Sequence, residues 1–153
     1  MTKKKPSWTV AGLALLLAFG AAAAYVWIGN GAAAGLDPHD RAKVARGGEI
    51  YAANCASCHG ADLAGQPDWR QRRADGRLPA PPHDETGHTW HHPAEQLFAL
   101  TKYGPAALAG GGYQSDMPGY DGKLSDAEIW AVLSYIKSRW PAEIRARHDQ
   151  MSQ

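Results

Sequence analysis

Apolar residues recur at helical spacing in three parts of the chain, while no part keeps up the alternation of apolar and polar residues that is typical of a strand. The three predicted helices cover residues 38–54, 93–103 and 126–140, with approximate ends. The pattern therefore predicts an all-α domain.

The last of these helices has the clearest boundaries. Ser125 and Glu128 form the sequence pattern of a capping box, which satisfies backbone N–H groups at a helix start. Pro141 cannot continue a helix, so we expect the helix to stop near Trp140. Its apolar stripe consists of Ile129, Val132, Leu133 and Ile136.

The first helix is expected to begin at Pro38, with Asp37 as its N-cap, and to end at about Asn54. Its middle contains Gly47 and Gly48, which lower helix propensity and therefore need another purpose. Close approach of the last helix, beside Tyr51, would provide that purpose.

The N-terminal part is typical of a membrane signal. Lys3, Lys4 and Lys5 precede a stretch from Trp8 to Ile28 without any charge. A helix over that stretch would be about 30 Å long, which matches the hydrocarbon core of a bilayer. We expect residues 1–28 to be a retained, single-pass transmembrane anchor, with the rest of the chain on the periplasmic side of the cytoplasmic membrane. The alternative is a signal peptide cleaved within residues 21–24.

The remaining chain suits one small domain. Residues 29–36 form a linker of mainly small residues, residues 37–141 the domain, and residues 142–153 a C-terminal tail. Without the N-terminal lysines, 13 basic residues face 15 acidic ones, a net charge of −2. This balance argues against nucleic-acid binding.

The two cysteines of the chain belong to the sequence Cys55-Ala56-Ser57-Cys58-His59. C-x-x-C-H is the attachment signature of a c-type haem, in which both sulfurs bond to the haem and the histidine binds iron. A zinc site would need more ligands, a thioredoxin-like motif would need a βαβ unit, and a structural disulfide would not need the histidine.

Met117 is the candidate second axial ligand of the iron, because the other methionines, Met1 and Met151, lie at the chain ends. The alternative ligand is a histidine from the cluster His83, His88, His91 and His92. A copper or zinc site is a separate interpretation of that cluster, and hydrogen-bonding loop residues near the haem edge are the preferred one. The free N–H of His59 needs a fixed acceptor, and a carbonyl of the proline-rich segment 78–82, for instance that of Leu78, is expected to provide it.

Together these features resemble a monohaem, bacterial class I c-type cytochrome with an N-terminal membrane anchor. The resemblance covers Asp37 to about Trp140. It implies thioether bonds from Cys55 and Cys58 to one haem c, and His59 and Met117 as ligands of the haem iron. It also implies that Gly47 and Tyr51 meet the last helix at Val132 and Tyr135.

Two segments are not general features of that family: the arginine-rich residues 61–77 and the histidine-rich residues 83–92. The arginines of the first segment could belong to a solvated loop, hold haem propionates, or dock an acidic redox partner. These arginines are Arg70, Arg72, Arg73 and Arg77.

The resemblance implies a respiratory electron carrier rather than an enzyme, with no small-molecule substrate. Its partners would be membrane complexes, with a quinol-oxidising complex as donor and a terminal oxidase or reductase as acceptor. One alternative is a fixed haem subunit of a larger membrane redox enzyme. Another is an open-haem cytochrome for catalysis or sensing, which would require that Met117 not occupy the iron.

Overall fold

The structure, a computed structural model, describes residues 35–152, and every regular element within that range is helical. In chain order the elements are α1 (Arg41–Asn54), α2 (Ala56–His59), a 3-10 turn (Thr89–His91), α3 (Ala94–Tyr103), α4 (Pro105–Ala109), α5 (Asp126–Ser138) and α6 (Ala142–Met151). The all-α prediction is confirmed for these residues.

The predicted anchor, residues 1–28, and nearly all of the predicted linker lie outside the described residues. Within residues 35–152, no helix combines the length and the apolar character needed to cross a membrane.

Helix α5 begins and ends close to where the sequence predicts. The Ser125 hydroxyl accepts from the Glu128 backbone N–H at 3.3 Å, and the Ser125 backbone N–H donates to the Glu128 carboxylate at 3.0 Å, so the capping box is formed. The helix stops at Ser138, short of Pro141. Its apolar stripe lies at the centre of the core, whose buried members are Ile50, Tyr51, Leu63, Leu97, Ile129, Trp130, Ala131, Val132, Leu133, Ile136 and Trp140.

Helix α1 packs against α5 at the glycine that the sequence singles out. A Cβ atom on Gly47 would lie 2.0 Å from the Ala131 carbonyl oxygen and 2.9 Å from the Tyr135 Cβ. Beside this contact the rings of Tyr51 and Tyr135 meet, with centroids 5.4 Å apart. The predicted close approach at Gly47 is therefore present between α1 and α5. The nearest neighbour of Gly47 is the Ala131 backbone.

The predicted start of α1 is wrong by three residues. The helix begins at Arg41, and the Asp40 carboxylate caps it by accepting from the backbone N–H groups of Ala42 and Lys43, each at 3.0 Å. Asp37 instead accepts from the His39 N–H at 2.8 Å, which folds the preceding residues into a turn. Two aspartates three residues apart give the same sequence signal, and the turn decides which one becomes the N-cap.

The segment after Pro141, expected as a tail, folds into α6, which packs against the 3-10 turn. His148 of α6 is fully buried, and its Nδ1 atom lies 3.0 Å from the Lys137 ammonium nitrogen of α5. Lys137 also forms an ion pair with Asp149. Polar contacts hold α6 against α5. Its sequence therefore carries little of the apolar periodicity from which a helix is predicted.

The close α1–α5 contact gives a test of the fold. Gly47→Ala is expected to lower the free energy of unfolding by about 3 kcal/mol or more, because the added methyl group overlaps backbone and forces the helices apart. Denaturant unfolding of the haem-loaded protein, followed by circular dichroism, measures the loss.

Gly48→Ala is the matched control, since a Cβ there meets only the Tyr135 ring, at 3.3 Å. Its stability should stay within about 1 kcal/mol of wild type, because the gain in helix propensity offsets the tighter contact. Equal losses in the two variants would contradict the described packing.

Candidate functional site

The C-x-x-C-H motif lies at the junction between α1 and α2. The Cys55 N–H donates to the Tyr51 carbonyl at 2.8 Å, so Cys55 ends α1, and α2 begins at the next residue. Both cysteines are free thiols: Cys55 is half-buried and Cys58 is exposed. One helical turn therefore carries the two sulfurs, and it ends at His59, which is 6 % exposed.

A backbone carbonyl fixes the protonation of the His59 imidazole. The His59 Nδ1 atom lies 2.8 Å from the Pro81 carbonyl oxygen. Since a carbonyl can only accept, Nδ1 carries the proton, and the lone pair of Nε2 is left available for a metal. Burial lowers the pKa of His59, which favours this neutral form. The acceptor lies in the segment that the sequence predicts, three residues beyond Leu78.

Tyr51 links the helix before the cysteines to the residue that follows His59. Its hydroxyl donates to the Gly60 carbonyl at 2.8 Å and so ties the end of α2 to α1. Burial, and to a smaller extent the neighbouring Cys58, raises the pKa of the Cys55 thiol to about 11. Cys55 is therefore in its thiol form at neutral pH.

Met117 lies in a loop that is anchored on its N-terminal side by Asp116. The Asp116 carboxylate binds two arginines of the segment 61–77: it pairs with Arg73, and with the Arg77 guanidinium at 2.8 Å. The hydrogen bond from Arg73, with the charges of both arginines, lowers the pKa of Asp116. The arginine-rich segment thus contacts the methionine loop through exposed ion pairs.

On its C-terminal side the same loop is anchored by Tyr120. The buried Tyr120 hydroxyl donates to the Asn54 carbonyl at 2.7 Å, directly before Cys55. Burial raises the pKa of Tyr120, and the nearness of Cys55 and Cys58 adds to the shift. Three residues after Met117, the chain therefore reaches the neighbourhood of both cysteines. No local pattern marks this tyrosine in the sequence, because its partner lies 66 residues earlier in the chain.

The histidine cluster of the sequence is divided among several partners. His83 stacks on His59, His88 stacks on Trp69 and contacts His92, and His91 stacks on Trp90. Within the described part of the chain, no three His, Cys, Asp or Glu side chains are grouped so that they could hold a metal ion. This finding weighs against the copper or zinc alternative.

The remaining arginines of the segment 61–77 make local contacts. The Arg70 guanidinium lies 4.1 Å from the Trp69 ring centroid, and Arg72 donates to the Gly76 carbonyl at 2.7 Å. The segment is exposed, but it is ordered by these contacts and by Asp116.

The residues present fit a covalently bound haem. They combine two free thiols one turn apart with a buried imidazole whose Nε2 is available, in a small helical domain, and this set defines the class of covalent haem proteins. The model of the cytochrome c family matches residues 44–140, and the chain belongs to this family. It binds covalently attached haem c and transfers electrons, and its Cys55 and Cys58 fit the family's attachment motif. No solved structure matches the chain.

Proposed function

We propose that the protein is a membrane-tethered monohaem electron carrier whose haem iron is bound by His59 and Met117. The observation that carries the proposal is the His59–Pro81 hydrogen bond, because it fixes the imidazole tautomer and directs the proton away from Nε2. When bound, the haem supplies the one-electron Fe(III)/Fe(II) couple. Cys55 and Cys58 would hold it covalently.

The anchored loop supports Met117 as the second ligand. Its neighbours Asp116 and Tyr120 are tied to two different parts of the domain, so the methionine is held between fixed points. A thioether is a soft ligand that favours Fe(II), which raises the reduction potential. With His59 and Met117 holding it, a bound haem would supply one-electron transfer and leave no free position for a substrate.

The stacking of His83 argues against it as the second ligand. Its ring lies face to face with the His59 ring, at a centroid distance of 4.0 Å. Two ligands of one haem iron would have to lie on opposite faces of the haem, whereas these two rings are stacked directly on each other. A bis-histidine site formed by His59 and His83 would therefore require rearrangement.

The Asp116 ion pairs give a prediction for the methionine loop. Asp116→Asn removes the charge that both arginines bind, so the loop should open more easily, and exogenous imidazole should bind ferric haem about two- to fivefold more tightly at low salt. An imidazole titration followed by absorbance measures the affinity. The difference should shrink at high salt, since exposed ion pairs are screened.

Asp75→Asn is the control for that variant, because Asp75 lies 3.8 Å from the Arg73 guanidinium but does not precede the methionine. Its imidazole affinity should equal that of wild type. If Asp116→Asn also shows the wild-type affinity at low salt, the arginines do not hold the loop closed.

Tethering is supported by the uncharged stretch from Trp8 to Ile28 behind the N-terminal lysines. A tether would keep the haem domain at high effective concentration beside membrane partners on the periplasmic side. We propose a quinol-oxidising complex as donor and a terminal oxidase or reductase as acceptor. Fractionation of cells that express the full chain tests this: haem-stained protein should remain in the membrane after a carbonate wash, and release into the wash would contradict the anchor.

The alternative is a fixed haem subunit of a membrane redox enzyme, since the same domain serves both purposes. Mild detergent solubilisation and purification separates the two functions. The carrier should purify alone and still be reduced by added membranes with quinol. A partner that remains in constant ratio through purification would establish the subunit instead.

A further inference from the structure

The ring of His83 lies against the face of the His59 imidazole. The two ring planes are inclined by 21°, and the centroids are 4.0 Å apart. His83 follows Pro81, whose carbonyl binds the edge of the same imidazole, by two residues. The tripeptide Pro81-Pro82-His83 therefore contacts His59 both at its edge and at its face.

The His83 backbone is fixed at both of its polar groups. Its N–H donates to the Leu63 carbonyl at 2.8 Å, and its carbonyl accepts from the Trp140 indole N–H at 2.7 Å. Leu63 and Trp140 both belong to the buried core. The position of the His83 backbone is therefore set by the core and not by the surrounding loop.

The His83 ring is fixed by Thr89, which is buried. The His83 Nδ1 atom lies 2.8 Å from the Thr89 hydroxyl oxygen, which lies 3.4 Å from the Pro82 carbonyl oxygen. Because the carbonyl can only accept, the hydroxyl donates to it and accepts from His83 Nδ1–H. Burial, with His59 and His88 nearby, keeps the pKa of His83 well below that of free histidine, so a neutral ring faces His59.

The two contacts on His59 restrain the same ring in different ways. The ring can rotate about its Cβ–Cγ bond, and the hydrogen bond at Nδ1 restrains this rotation through a single atom. A second ring flat against the face blocks this rotation. Groups behind a ligating histidine set its orientation and basicity, and hence the properties of the metal.

We propose that His83, held by Thr89, is a positioning residue that fixes the plane of the His59 imidazole and thereby sets the reduction potential of the haem. This inference rests on the proposed ligation of iron by His59. The proposal gives His83, a residue of the histidine-rich segment 83–92, a function. Electron transfer by the haem does not by itself require that segment.

The test compares His83→Phe, Thr89→Val and Thr89→Ser in the haem-loaded full chain. The readouts are the electron paramagnetic resonance g-values of the ferric protein, which depend on ligand orientation, and the reduction potential from a spectroelectrochemical titration. Thr89→Val keeps the His83 side chain but removes the hydrogen-bond acceptor of its Nδ1–H, so the ring is no longer held in one orientation. We expect altered g-values and an Fe(III)/Fe(II) equilibrium changed by up to about tenfold, or about 59 mV for one electron.

Thr89→Ser keeps the hydroxyl and should therefore retain the wild-type g-values and the wild-type reduction potential. His91→Phe serves as the control, because His91 stacks on Trp90. It should leave the g-values and the potential unchanged. A wild-type spectrum for Thr89→Val, with normal haem content, would overturn the proposal.

The double variant shows whether Thr89 acts through His83. In the His83→Phe background the Nδ1 donor is already absent, so Thr89→Val should cause no further shift. A full further shift would mean that Thr89 acts through Pro82 alone, and the proposal would fail. Its failure remains distinguishable from that of the proposed function, because wild-type protein without a low-spin, histidine-ligated ferric spectrum would refute the ligation itself.

Discussion

Changing both cysteines, Cys55→Ser together with Cys58→Ser, is expected to abolish covalent haem and to remove most of the helical structure. These are the only cysteines of the chain, so no other thiol can form a thioether bond. The domain is small, and a covalently held haem would supply much of the apolar surface that it buries, so its loss should leave the domain marginally stable. Haem staining of a denaturing gel and far-ultraviolet circular dichroism measure the two losses.

Ser57→Ala is the matched control for that double variant. Ser57 is exposed and lies between the two cysteines, and its hydroxyl makes only a weak, 4.0 Å contact with the Cys58 sulfur. Its haem content and helicity should equal those of wild type. A haem-stained band that survives denaturation in the double cysteine variant would show that the attachment site has been wrongly assigned.

Replacing the proposed second ligand, Met117→Ala, is expected to lower the reduction potential by about 0.1 V or more, a modest part of the roughly 0.8 V range over which axial ligands act. Loss of the soft thioether removes the preference for Fe(II). The vacated position should also bind exogenous imidazole, which the wild-type protein resists. A spectroelectrochemical titration and an imidazole titration measure the two effects.

Met151→Ala provides the comparison, since Met151 is at the end of α6 and is 39 % exposed. Its potential and its imidazole affinity should not change. If Met117→Ala keeps the wild-type potential and still excludes imidazole, another side chain occupies the iron, and the proposed ligand set is wrong.

The sequence predicts those features of the fold that leave a signal within one short segment of the chain. The capping box of α5 needs only Ser125 and Glu128, and the acceptor for His59 is predicted to within three residues because a proline-rich segment has few other conformations. Gly47 marks the helix contact because a glycine within a helix lowers its stability unless close packing requires it.

Side-chain contacts between distant segments were not predicted where neither segment carries a signal of the contact. The pairing of Asp116 with Arg73 spans 43 residues, and either residue alone resembles an ordinary surface charge. The stacking of His83 on His59 arises because two chain segments meet in the fold, and in the sequence His83 is one of four clustered histidines. Residues 142–153 were expected to be a tail because they show no clear apolar stripe. Buried polar groups, including His148, hold helix α6 against the domain instead.

The optical spectrum of the ferric wild-type protein in the red tests the central claim most directly. A thioether sulfur bound to ferric haem gives a weak charge-transfer band in that region. We predict that the full chain shows this band, that Met151→Ala retains it and that Met117→Ala loses it. A wild-type spectrum without the band, or a band that persists in Met117→Ala, would contradict a haem iron closed by His59 and Met117.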